Sequence, residues 1–143
     1  AAKAPENMRY SIYLMQAEFA MQDQDYSRAE QAYATAAKLD ADGAMGLMAA
    51  LGQAGALIKL DRPADAVTLL QGLESRATED GRATLRMLLG EAAEAAGKTD
   101  VAVAAYEALA ASQPGLDGEF YRSRAEALGG GKTAPVKDGA ENK

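Results

Sequence analysis

With 143 residues, 48% of them hydrophobic but only 6% aromatic, the chain has the length of one domain or a short repeat array, and its core has to come from Ala, Leu and Met, which lose little side-chain freedom in a helix. A net charge of -6 and a pI near 4.7 leave no basic stripe to neutralise phosphates, so nucleic acid is excluded as an expected partner. Cysteine and histidine are both absent; that removes disulfides, thiolate chemistry and the commonest general base and metal ligand, leaves Asp, Glu, Lys and Tyr as candidate catalysts, and disfavours an enzyme.

The opening residues, AAKAPENMRY, show neither an initiator Met nor a signal-type apolar run. This is the pattern expected when a leader or anchor has been removed, or of a fragment. Residues 1–9 read as a lead-in. Apolar periodicity then predicts helices over 6–22, 26–39, 44–60, 63–76, 80–96, 99–112 and 117–128. Pro63 suits a first helical turn, Gly97 a helix stop and Thr99 an N-cap. No alternating apolar and polar stretch reads as a strand, and no run of about 18 apolar residues could cross a membrane. The last helix is expected to cover the exposed face of its predecessors with Phe120, Tyr121 and Leu128. Residues 129–143 lack apolar periodicity and read as a flexible tail.

The helices fall into three pairs with one layout. An alanine stands near the start of each second helix, at Ala29, Ala66 and Ala102. Twelve residues before each is a small residue: Ala17, Ala54 and Gly90. Four residues after each is a large one, Tyr33, Leu70 and Tyr106, and seven after come Ala36, Leu73 and Leu109. Small residues facing each other let two helices close to the short end of the ~8–10 Å range, and larger ones on the same face fill the space beyond the crossing. A pair this small cannot bury its apolar face alone and has to stack on the next pair.

On these residues the chain resembles the tetratricopeptide-repeat (TPR) family. The third pair matches best, with Leu89-Gly90, Ala93, Gly97 in the turn, Ala102, Tyr106 and Pro114. The first carries Tyr13, Ala17, Asp25-Tyr26, Ala29, Tyr33 and Ala36; the second carries Ala54, Leu57, Pro63, Ala66 and Leu70. The intervals of 37 and 36 residues exceed the usual ~34-residue period, and the surplus is assigned to loops around Asp40–Gly43 and Arg76–Asp80. The resemblance implies an all-α, TPR-like right-handed helical-hairpin solenoid. Its repeats are expected at about 10–43, 44–79 and 80–114, with a capping helix over 117–128.

Two phosphate-loop lookalikes are present, Gly97-Lys98-Thr99 and Gly131-Lys132-Thr133. A phosphate loop needs a further glycine five residues before the first, where Ala92 and Glu126 stand, and a preceding strand. The acidic clusters DQD at 23–25 and DADG at 40–43 do not place their glycine and glutamate as an EF-hand does, so they read as solvated turns and caps. Glu91 and Glu94, and Asp61 and Asp65, lack an apolar enclosure that would separate two carboxylate pKa values. No catalytic residue, metal or cofactor is expected.

The resemblance implies that the first helices of the pairs line a concave surface where peptide segments bind. By alignment the groove-facing set is Leu14, Glu18, Met21, Met48, Leu51, Gly55, Ile58, Met87, Glu91 and Glu94. A Met- and Leu-lined groove edged with acid suits an apolar or basic protein segment, because methionine adapts to varied partners. The Lys, Asn and Arg that TPR domains use to clamp chaperone C-terminal carboxylates are replaced by Leu14 and Glu18 in the first pair. The expected function is therefore a non-catalytic interaction module, scaffold or chaperone-like. The alternative is a self-associating element of a larger envelope complex, pairing through its concave surface or terminal helix. The alanine-rich layout also resembles the soluble part of bacterial envelope TPR proteins of the SecYEG-translocon-associated type, which implies a membrane-anchored parent facing the periplasm.

Overall fold

The computed structural model describes residues 5–130 and contains seven α-helices. They are α1 (Glu6–Gln22), α2 (Tyr26–Leu39), α3 (Ala44–Lys59), α4 (Pro63–Leu73), α5 (Glu79–Ala95), α6 (Thr99–Ser112) and α7 (Gly115–Ala127). Among the described residues there is no strand, and no helix is long and apolar enough to cross a membrane. Segments 1–4 and 131–143, with the second Gly-Lys-Thr and most of the expected tail, lie outside the described residues.

The expected helix ends are met within two residues at six of the seven elements. The fourth helix differs at its C-terminus, where Glu74–Arg76 tightens into a 3-10 turn after Leu73. Helix α1 begins at Glu6, inside the segment read as a lead-in. Pro63 occupies the first turn of α4, where its missing N–H costs nothing. Thr99 is corrected from N-cap to first helical residue. Lys98 is the cap position, and no side-chain capping bond forms there.

One backbone device builds all three hairpin turns. After α5 the N–H of Gly97 donates to the Glu94 carbonyl (3.1 Å) and the N–H of Lys98 to the Ala93 carbonyl (2.8 Å). The same two bonds follow α1, from Gln24 to Met21 and Asp25 to Ala20, and α3, from Asp61 to Ile58 and Arg62 to Leu57. This is the Schellman arrangement, which needs a left-handed residue after the helix. Gln24, Asp61 and Gly97 adopt φ of 62°, 60° and 73°, at the same intervals as the alanine anchors. Only Gly97 takes that conformation without strain. Gln24→Gly and Asp61→Gly are each expected to stabilise the fold by about 1 kcal/mol, less what the glycine adds to unfolded-chain entropy. Urea midpoints of the two variants check this, and a lowered midpoint in both would refute the strain.

Packing follows chain order. Helix α1 packs on α2, α2 on α3, α3 on α4 and α5, α4 on α5, α5 on α6, and α6 on α7. The alignment anchors Ala17, Ala29, Ala54, Ala66 and Ala102 are all fully buried, as are Leu70 and Leu109 nearby. The core is uneven. Helices α3 to α7 share one large cluster built on Leu47, Leu57, Leu70, Leu85, Leu89 and Leu109. Helices α1 and α2 join α3 through two small seams, Tyr10–Ala36–Ala49 and Ala20–Ala29–Ala56. The first hairpin thus buries alanines and a single tyrosine.

Candidate interaction surface

Helices α2, α4 and α6 expose none of their large apolar side chains. The consequence is a one-sided distribution. Met8, Ile12, Met15 and Phe19 on α1, Met45 and Met48 on α3, Met87 on α5, and Leu116 and Phe120 on α7 are exposed. All lie on odd-numbered helices, the first helices of the pairs and the cap.

The predicted groove set divides by neighbourhood. Met48 and Met87 are exposed, at 61% and 41%. Glu18 and Glu91 are also exposed, and Gly55 is half-buried with open space where a Cβ would stand. Leu14, Met21 and Ile58 are half-buried against the neighbouring clusters. Leu51 is corrected: only 4% exposed, it belongs to the main core. It sits on α3, which is enclosed by α2, α4 and α5, whereas Leu14 at the same register sits on α1, which packs on α2.

Glu94 holds a strut rather than a free rim. Its Oε1 accepts from the Tyr106 hydroxyl (3.1 Å) and from Arg124 Nε (3.1 Å), while Arg124 Nη2 donates to its Oε2. Tyr121 of α7 stacks on Tyr106 with ring centroids 6.1 Å apart. Together these fix α7 against α5 and α6. Tyr121 and the half-buried Leu128 cover the third pair as expected, but Phe120 is 64% exposed and meets only the edge of Tyr121 among aromatic rings. A depression of about 250 Å³ remains between α5 and α7, lined by Ala83, Thr84, Met87, Leu109, Gln113, Asp117 and Tyr121. Met87 is the one residue of the groove set that lines it; Asp117 and Tyr121 of α7 are not in that set, because a cap is expected to close the array rather than extend its surface.

Burial, and then the bond to Glu94, pushes the Tyr106 phenol up to about 12, and burial raises Tyr10 and Tyr33 as well. An unfolded tyrosine loses its proton near pH 10, so between about 10 and 12 the folded state holds the extra proton. The stability that this represents is complete below pH 10 and is lost as pH rises through the folded value. Wild type is expected to lose about 2 kcal/mol through Tyr106 across that window. Tyr106→Phe, weaker at pH 9 by about 1 kcal/mol for the lost hydrogen bond, should lose less. Urea unfolding at pH 9 and 11.5 compares them; equal losses would contradict the assignment.

The remaining motifs have structural employment. The N–H groups of Gly97 and Lys98, which a phosphate loop would aim at its ligand, are consumed by the turn. Asp25 caps α2 by accepting from the Arg28 N–H (3.1 Å), and Asp40 accepts from the Gly46 N–H (3.0 Å). A second depression of about 400 Å³ lies between α4 and α6 over Arg86, bordered by Glu74, Asp100 and the small face of Ala104 and Ala108; no sequence motif marked it.

No protein-family model matches the chain, and no curated protein matches it. Among solved structures the chain is similar to the Arabidopsis OM64 TPR domain, with a TM-score of 0.71 and 14% sequence identity over 86% of this chain and 98% of that one. At that identity the likeness is one of fold, and it agrees with the paired helices, repeated turns and buried small anchors described above. The chain has the fold of a tetratricopeptide-repeat domain.

Proposed function

We propose that the protein is a non-catalytic interaction module that seats an apolar or basic segment of another protein across α3, α5 and α7. The observation that carries this reading is the outward exposure of Met48 on α3 and of Met87, which lines the depression between α5 and α7. Flexible methionines offer apolar contact that adapts to different side chains, while exposed Glu18 and Glu91 and the net charge of -6 steer positive segments toward it. The mechanism is passive, since the fold is that of an interaction module and the Glu94–Tyr106 pair is committed to holding α7. Placement at a bacterial envelope is a separate part of the proposal, resting on the alanine-rich layout and tested by cell fractionation.

The chain has six methionines, so ε-methyl labelling reports the groove and the other faces at once. Affinity capture from the native cell supplies partner segments, which are then titrated in. The Met48 and Met87 methyls should shift, and Met48→Glu/Met87→Glu should weaken binding at least about tenfold without moving the melting temperature. Partners retained equally by wild type and variant would overturn the groove.

A further inference from the structure

We propose that α1 is a self-association helix: two copies of the chain pair their α1 helices antiparallel through Met8, Ile12, Met15 and Phe19. These four side chains are 46–57% exposed, although they are larger than every residue α1 buries except Tyr10. Tyr10, Ala17 and Ala20, with the half-buried Tyr13, Leu14 and Met21, face the helix's own fold, while Met8, Ile12, Met15 and Phe19 face solvent. A helix apolar on opposite faces is one that is covered on both.

The spacing names the occupant. Intervals of four, three and four residues are those of alternating a and d positions in a coiled-coil seam. With Ile12 and Phe19 at a, and Met8 and Met15 at d, Tyr10 and Ala17 fall at f, facing the fold that buries them. The intervals read the same in both directions. Antiparallel pairing about the midpoint therefore sets Ile12 against Met15 of the second copy and Met8 against Phe19. The flanks agree: Arg9 meets Gln16, and Glu18 meets Ser11, so no like charges face each other. A parallel pair would instead bring Glu18 beside Asp23.

This face also continues an interface the fold already uses. The residues one repeat after Ile12, Met15 and Phe19, namely Ala49, Gly52 and Ala56 on α3, receive the preceding hairpin: Ala49 packs with Tyr10 and Ala36, Gly52 against the Tyr33 ring, and Ala56 with Ala20 and Ala29. Helix α1 presents the same face with large side chains and, among the described residues, nothing on it. At roughly 100 Å² exposed for each of the four, two copies remove about 800 Å² from water. Flanking residues bring this close to the ~1,000–1,200 Å² at the lower end for specific interfaces, so a micromolar dimer is expected.

Sedimentation equilibrium from 5 to 500 µM tests it. The mass should climb from 14.9 kDa toward twice that value, and Ile12→Glu/Met15→Glu should stay monomeric with an unchanged circular dichroism spectrum. Because the chain lacks cysteine, a single spin label at Gln22→Cys reports orientation. Backbones at that position are about 25 Å apart in the antiparallel pair and about 10 Å in a parallel one. The Met8 and Met15 methyls should shift with concentration while Met48 and Met87 stay still, which separates this association from groove binding. A monomer at 500 µM, a dimer that survives the double substitution, a short label distance, or shifts at Met48 and Met87 instead would each overturn the proposal.

Discussion

Leu51→Glu is expected to destabilise the whole fold rather than to silence a binding surface. Leu51 is 4% exposed within the large cluster. A carboxylate there loses the leucine's packing and either remains charged without a partner or takes up a proton to avoid it. The expected cost is about 5 kcal/mol, against roughly 5–15 kcal/mol for the total stability of a domain. Met48→Glu, three residues earlier on the same helix, should change stability by less than about 0.5 kcal/mol because Met48 already faces water. Urea denaturation followed by circular dichroism distinguishes them. A Leu51→Glu midpoint equal to wild type would mean that the helix turns this position outward.

Gly90→Ala and Gly55→Ala should move stability in opposite directions, although both replace a mid-helix glycine by the best helix former. A methyl at Gly90 would lie 2.6 Å from the Tyr106 ring. That ring is held by Glu94 and stacked on Tyr121, so it cannot swing aside cheaply. Overpacking there is expected to outweigh the gain in propensity of about 1 kcal/mol and leave a net loss of about 2 kcal/mol. At Gly55 a methyl meets nothing within 4 Å, so the propensity gain of up to about 1 kcal/mol should appear whole. Scanning calorimetry reads a lower melting temperature for the first and a higher one for the second. A rise in both would show that the Tyr106 ring yields.

These two variants bear on how the interaction surface is kept in place. Gly90 and Tyr106 set the distance between α5 and α6, and the Tyr106–Glu94–Arg124 bonds set α7 beside them. The depression around Met87 is the space left between those elements. Loosening this corner should therefore weaken binding in the depression even though none of Gly90, Glu94 or Arg124 lines it. Met48, on α3, lies away from that corner.

The helices, the hairpin turns and the repeat were legible in the residues alone. Helical periodicity, Pro63 and Gly97 are local signals, and the small–large order around Ala29, Ala66 and Ala102 encodes a close crossing wherever it recurs. Depth was not legible there, and it emerges from how the helices pack. Periodicity fixes the direction in which a side chain leaves its helix, whereas burial depends on how many other helices stand in that direction. Leu14, Leu51 and Met87 share one register, yet only Leu51 is fully enclosed, within the main core cluster, while Met87 on α5 faces outward. Tyr33 and Tyr106 also share a register, but Tyr106 packs on Gly90 within its own hairpin and Tyr33 on Gly52 of the next. Among the described residues no further hairpin stands at either end of the array. There the same periodic faces leave Phe120 and the Met8–Phe19 stripe in water, because exposure at an end is set by which helices are missing.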